Sequence, residues 1–151
     1  MSTEVGSPVA GLTTSLSDVP DPVFSQAMVG PGVAVKPSGG EGDAVAPVAG
    51  QVVTLHPHAF VVTGADGAAV LVHLGIDTVK LQGEGFELHV AKGDEVEAGQ
   101  RIVAWNPTEV EEHGYSSICP VVALEAAAES LSDFREDTQV LPGDPLFALD
   151  T

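Results

Sequence analysis

Residues 57–73 read PHAFVVTGADGAAVLVH, two apolar runs with a histidine at each outer end and a Gly-Ala-Asp-Gly cluster between them. Aromatic and β-branched residues on either side of a Gly/Asp turn specify a β-hairpin. With the turn centred between Ala65 and Asp66, residues that face one another have numbers summing to 131. His58 then opposes His73, and Phe60 with Leu71 and Val62 with Ala69 share their face. Opposed Cβ atoms in an antiparallel pair lie about 4.5–5.5 Å apart, so the two imidazoles can meet.

Two imidazoles in an apolar setting resist protonation, because each charge disfavours the other and burial disfavours both. At least one ring is then neutral and nucleophilic. Such a ring can attack phosphorus and carry the phosphoryl group on nitrogen, while its neighbour donates a hydrogen bond to the phosphoryl oxygens. The spacing is equally that of two histidines packed in a β core, and the register rests on the assumed turn.

The rest of the chain reads the same way. Seventeen Gly and eleven Pro are spread through 151 residues with many Val and few aromatics, the composition of short strands joined by tight turns. The expected class is all-β, an antiparallel sandwich or flattened barrel with one to three short helices, in a single domain. Strands are expected at Gly32–Val35, Gly50–Leu55, Ala59–Thr63, Ala68–His73, Phe86–Ala91, Arg101–Trp105, Ile118–Leu124 and Leu146–Leu149. Asp21-Pro22 predicts a capped helix over Val23–Val29, and Thr108 caps a predicted helix that ends at Gly114. Ala123–Ser130 has helical composition, although a strand could take its first residues. Residues 1–6 and Ser38–Asp43 are expected to be flexible. Gly93-Asp94 and Gly143-Asp144 each precede an apolar strand and read as one turn used twice.

Acidic residues outnumber basic ones 22 to 5, for a net charge of −17, which disfavours nucleic acid and anionic lipid as partners. No apolar run reaches the roughly 20 residues of a membrane helix, and the first residues lack a signal-peptide pattern, so direct membrane insertion is not expected and a cytoplasmic location is. Cys119 is the only cysteine and forms no internal disulfide. Phosphate-binding glycine loops, CxxC and GxSxG are missing from the sequence, and no cofactor is expected. Of the remaining histidines, His113 reads as a helix C-cap and His89 as an exposed strand position. His56 shares parity with His58, so His56, His58 and His73 also suggest a zinc-dependent hydrolase as an alternative. A biotinyl or lipoyl carrier is disfavoured, because Lys36, Lys80 and Lys92 lack the flanking residues of a modified lysine.

Six motifs then agree in order and spacing with one family: Val19-Pro20-Asp21 with Val23-Phe24, Met28-Val29-Gly30-Pro31-Gly32, Ala46–Gly50, His58-Ala59-Phe60, Val72-His73-Leu74-Gly75-Ile76-Asp77-Thr78-Val79, and Leu81–Phe86. From about Val9 to Ala148 the chain resembles the glucose-class enzyme IIA component of the bacterial phosphoenolpyruvate:sugar phosphotransferase system. The resemblance implies a phosphoryl acceptor at His73 Nε2, charged by the phosphohistidine carrier HPr and discharged to a cysteine on the IIB domain of a sugar permease. It implies that His58 contacts the phosphoryl group with its Nδ1–H held by the Gly75 carbonyl. Asp21 and Asp77 match an acidic docking rim, and Val23, Phe24, Met28 and Val79 match its apolar contacts. Departures are His56-Pro57 where the family often has Thr-Asn, Thr54 and Leu71 where enteric members carry phenylalanine, and Lys80 where an acid is common.

Overall fold

The structure, a computed structural model, describes residues 2–38 and 41–150. Its strands are β1 (Ser2–Gly6), β2 (Gly11–Ser15), β3 (Gly32–Pro37), β4 (Gly42–Val45), β5 (Gly50–His56), β6 (Ala59–Thr63), β7 (Ala69–His73), β8 (Glu87–Leu88), β9 (Glu95–Val96), β10 (Arg101–Trp105), β11 (Cys119–Ala123), β12 (Leu131–Ser132), β13 (Gln139–Val140) and β14 (Pro145–Asp150). Two α-helices, α1 (Pro22–Ser25) and α2 (Pro107–Glu112), and 3-10 turns at Leu16–Asp18, Thr78–Leu81 and Ala128–Ser130 complete the described chain. An eight-stranded sheet in the order β13-β2-β3-β11-β7-β6-β5-β9 faces two three-stranded sheets, β1-β14-β12 and β4-β10-β8. Among the described residues, every pairing is antiparallel. No described helix is long and apolar enough to cross a membrane.

Side-chain alternation divides the central strands between two apolar clusters. Val33, Val35, Phe60, Val62, Val70, Val72, Cys119 and Val121 point into the main core, where they meet Ile102, Val103, Trp105, Leu146 and Phe147 of the smaller sheets. Ala34, Leu71 and Val122 point the other way, into a second cluster closed by Leu16, Val19, Phe24, Ile76 and Ile118. The segment from Leu16 to Gly30 is therefore a cover laid over the outer face of the large sheet. Strands covered on both faces read as continuous apolar runs, which is why Ala59–Thr63 and Cys119–Ala123 are so uniformly hydrophobic.

The hairpin register differs by one residue from the sequence expectation. Partners in β6 and β7 sum to 132, with Ala59 opposite His73 and Phe60 opposite Val72. The loop runs over Gly64–Ala68, closed by the Gly64 N–H on the Ala68 carbonyl (2.8 Å) and by Asp66 Oδ1 accepting from Ala68 N–H (3.1 Å). An odd-length loop centred on Asp66 moves Phe60 and Val62 into the core and leaves Ala59, Val61, Leu71 and His73 on the covered face.

Other expectations shift as well. Residues 2–6 are not loose: they pair with β14, and Val5 is fully buried. Of Ser38–Asp43, Gly39 and Gly40 lie outside the described residues, while Gly42 and Asp43 begin β4. Helix α1 stops at Ser25 because Ala27 takes a left-handed conformation, φ 54°. Asn106, rather than Thr108, caps α2, its Oδ1 accepting from the Thr108 N–H at 3.0 Å. Ala123–Ser130 contains only the end of β11 and one 3-10 turn. The Phe86–Ala91 run contributes only the short β8. The repeated turn is real: the Ala91 N–H donates to Asp94 Oδ2 (2.9 Å) and the Leu141 N–H to Asp144 Oδ2 (2.8 Å), each across a glycine of positive φ.

The register carries an energetic consequence. Phe60→Ala should lower stability by about 3–5 kcal/mol, since it empties a fully enclosed site, whereas Val53→Ala, on an exposed position, should change it by no more than about 0.5 kcal/mol. Urea unfolding of both variants tests this, and equally small losses would contradict the observed register.

Candidate active site

His73 is the last residue of β7, and its ring lies on the covered face of the sheet against Phe24, with centroids 5.3 Å apart. Its Nδ1 is hydrogen-bonded to the Gly75 carbonyl two residues on. A carbonyl oxygen only accepts, so Nδ1 carries the proton and Nε2 is left with a free lone pair. The sequence expectation assigned this carbonyl to His58; the structure gives it to His73, because the chain turns back immediately after β7 and brings the Gly75 oxygen beneath the last ring of the strand.

That turn requires glycine. Gly75 has φ +80°, and a Cβ there would lie 2.7 Å from Thr78 Cγ2 and 2.8 Å from the Ser116 carbonyl oxygen. Both neighbours hold the loop. Thr78 Oγ1 donates to the Leu74 carbonyl (2.8 Å), and the Ile76 N–H donates to the Ser116 carbonyl (2.9 Å). These supports were not identified from the sequence: Thr78 lies inside the quoted motif without an assigned task, and Ser116 is far away in the chain.

His58 meets His73 edge to face, at a centroid distance of 5.2 Å and an interplanar angle of 70°. The contact is as expected, although its derivation is corrected. His58 is not in a strand; with Pro57 it forms the two-residue connection between His56 and Ala59, so strand alternation does not govern its side chain. Its carbonyl accepts from the Leu74 N–H (2.7 Å), which ties this connection to the end of β7. His56 also stacks on His58, at 5.7 Å and 24°.

The electrostatics favour neutral rings. Burial, followed by the charges of His73 and His56, lowers the His58 pKa from 6.5 to about 4. Burial also lowers that of His73, opposed by the Gly75 carbonyl and by the nearby carboxylates of Asp21 and Asp77. The same Asp21 caps α1, its Oδ1 accepting from the Val23 N–H at 3.0 Å, which fixes the carboxylate at the rim. Val23, Met28 and Val79 are exposed apolar residues at 41%, 68% and 58%, whereas Phe24 is buried behind His73 and is not part of the open rim.

The other titratable candidates have separate surroundings. His113 ends α2 with Nδ1 donating to the Glu109 carbonyl (2.8 Å), and His89 pairs through Nε2 with Asp43 (2.9 Å). Burial raises the Cys119 thiol to about 12, so it is an inert packing group. Although the His58 ring is in contact with those of His56 and His73, no cluster of three or more His, Cys, Asp or Glu among the described residues could hold a metal ion. The hydrolase alternative is not supported.

Residues 3–128 match the family model described as phosphoenolpyruvate-dependent sugar phosphotransferase system, EIIA 1. The glucosamine-specific EIICBA component of Bacillus subtilis (strain 168) is 44% identical over 130 residues, 85% of this chain and 20% of that protein. The β-glucoside-specific EIIBCA component of the same organism is 38% identical over 147 residues, 96% of this chain and 24% of that protein. The chain thus spans a quarter or less of the length of these two relatives. The glucose-specific EIIA component of Oceanobacillus iheyensis is 44% identical over 120 residues, 78% of this chain and 72% of that protein. The glucose permease IIA of Mycoplasma capricolum superimposes with a TM-score of 0.91 at 33% identity, covering 99% of this chain and 97% of that one.

The ring electrostatics set a pH dependence. Between pH 6.5 and about 4 the unfolded chain holds a proton on residue 58 that the folded chain does not. The contribution of this group to stability is therefore complete above the unfolded value and is lost as pH falls through that window. The stability difference between parent and His58→Gln should accordingly shift against the parent from pH 7 to pH 4, and the His58 ring protons should titrate near 4 by NMR. A midpoint near 6.5 would contradict the burial and charge pattern.

Proposed function

The chain belongs to the EIIA 1 family of the phosphoenolpyruvate-dependent sugar phosphotransferase system, and on that premise we propose that it is a phosphoryl carrier whose acceptor is Nε2 of His73. The observation that carries the reading is the Nδ1 hydrogen bond to Gly75, which leaves Nε2 as the nucleophilic nitrogen. In the transfer step the Nε2 lone pair forms the new P–N bond as the donor's P–N bond breaks, and the donor's nitrogen leaves with the electron pair. The proton on Nδ1 stays in place, so positive charge develops on the ring. The Gly75 carbonyl and the carboxylates of Asp21 and Asp77, which oppose the acid-shifting effect of burial on His73, stabilise that charge. His58, neutral at ordinary pH, donates a hydrogen bond to the phosphoryl oxygens.

The donor in this reading is HPr and the acceptor a cysteine of a IIB domain, in the cytoplasm. EIIA, EIIB and EIIC are joined in the names of two relatives, which supports a IIB partner. The exposed Val23, Met28 and Val79 give such partners an apolar contact, and Asp21 and Asp77 attract arginines around it. Phe24 acts from beneath, by supporting the His73 ring.

Incubation with phosphoenolpyruvate, enzyme I and HPr, followed by intact-mass measurement, should give an acid-labile phosphoryl adduct. The adduct should be missing in His73→Gln, and undiminished labelling of that variant would remove His73 as acceptor. His58→Gln should still accept the group but pass it on about 10²- to 10³-fold more slowly, the loss associated with one transition-state donor; parental onward rates would remove His58 from the site.

Docking has its own signature. Asp21→Asn/Asp77→Asn should slow transfer from phospho-HPr at low salt and approach the parent as ionic strength rises, while Lys80→Glu should act in the opposite direction. A double variant as fast as the parent at low salt would leave recognition to the apolar residues.

A further inference from the structure

His73 is held on two sides, by the Gly75 carbonyl and by Phe24. His58 is held differently. Its backbone is fixed by the Leu74 N–H, but among the described residues no hydrogen bond anchors its ring. What the ring touches is two other imidazoles: His73 in a steeply tilted contact and His56 in a stacked one.

His56 is placed firmly enough to serve as a support. It is the last residue of β5 and pairs with Ala59 across the turn. Pro57 follows it, and a residue before proline is confined to extended backbone, so His56 cannot leave the strand conformation to relax the stack. Its side chain is exposed, with the His58 ring as its aromatic neighbour. The 5.7 Å separation and 24° angle are those of a stacked pair, within the roughly 4.5–7 Å range where ring pairs attract.

We propose that His56 is a positioning residue for phosphoryl transfer, its ring stacked on His58 so that His58 stays in its tilted contact with His73. This rests on the reading of His58 as the donor to the phosphoryl oxygens. A donor in a transfer site is effective only when its N–H is aimed before charge develops, and a ring with two free torsions and no hydrogen bond is not aimed without a wall behind it. In this chain the wall is an imidazole, which explains how a His-Pro pair serves where the family often has Thr-Asn. The ring contact of His56 is with His58 and not with His73, so it acts through His58.

The test uses His56→Ala, which removes the stack, and His56→Phe, which keeps a ring and removes the ring nitrogens. The position is exposed, and thermal unfolding checks that each variant folds. Ring nitrogen and carbon NMR shifts of His58 are read in the unphosphorylated protein, and the rate of onward transfer to the IIB domain is read in the charged protein. In His56→Ala the His58 shifts should move toward rotationally averaged values, and onward transfer should slow by roughly threefold to tenfold, the worth of a ring-pair contact. In His56→Phe both should return to near the parental values. Parental shifts and rates in His56→Ala would overturn the proposal. So would a slowed His56→Ala that phenylalanine does not rescue, since His56 would then act through its nitrogens. If phosphorylation itself is not seen, the carrier reading fails, while the His58 shifts still decide whether His56 orients that ring.

Discussion

The site depends on one hydrogen bond, from His73 Nδ1 to the carbonyl of Gly75. It selects the tautomer, and the tautomer selects the nucleophilic atom. The bond exists because the chain bends back within two residues of the end of β7, a bend that needs positive φ at residue 75 and leaves no room for a Cβ. Thr78 and Ser116 then hold the bend from both sides. In the proposed carrier, the chemistry at Nε2 thus traces to a backbone conformation, and that conformation to the missing side chain of one glycine.

A second constraint is the balance of charge around the rings. Burial of His58 and His73, with repulsion from the neighbouring rings at His58, acts to keep these two imidazoles neutral, while the surrounding protein is strongly acidic. Were the rings deeply buried with no carboxylate near, a positive N-phosphorylated ring would be costly. Asp21 and Asp77 oppose the effect of burial at His73 through their charge, and in the proposed reading the remaining acidic surface would act at longer range on basic partners. The cover formed by Leu16–Gly30 serves both purposes, since it brings Phe24 against His73 and ends the rim at exposed Met28.

The all-β class, the central hairpin and the meeting of His58 with His73 were legible in the sequence, because apolar runs and Gly/Asp turns are local signals. The register was not. Whether the loop after Thr63 holds an even or an odd number of residues is decided by a side-chain cap from Asp66, which composition does not reveal. The histidine contact survived the one-residue error because His58 sits in a turn, where strand parity does not apply. Residues 2–6 and Gly11–Ser15 lack an apolar run of their own, and they become strands through pairing with β14 and β3. The partner of Gly75 and the stacking of His56 depend on how loops fold back, information that is spread over distant residues.

In the proposed carrier, the Gly75 carbonyl fixes the His73 tautomer and so the atom that reacts. Long-range proton–nitrogen NMR of the histidine-labelled protein, before and after phosphorylation, measures this directly. His73 should carry its proton on Nδ1 in the resting protein and its phosphoryl group on Nε2 afterwards. A resting proton on Nε2, or a phosphoryl group on Nδ1, would contradict it.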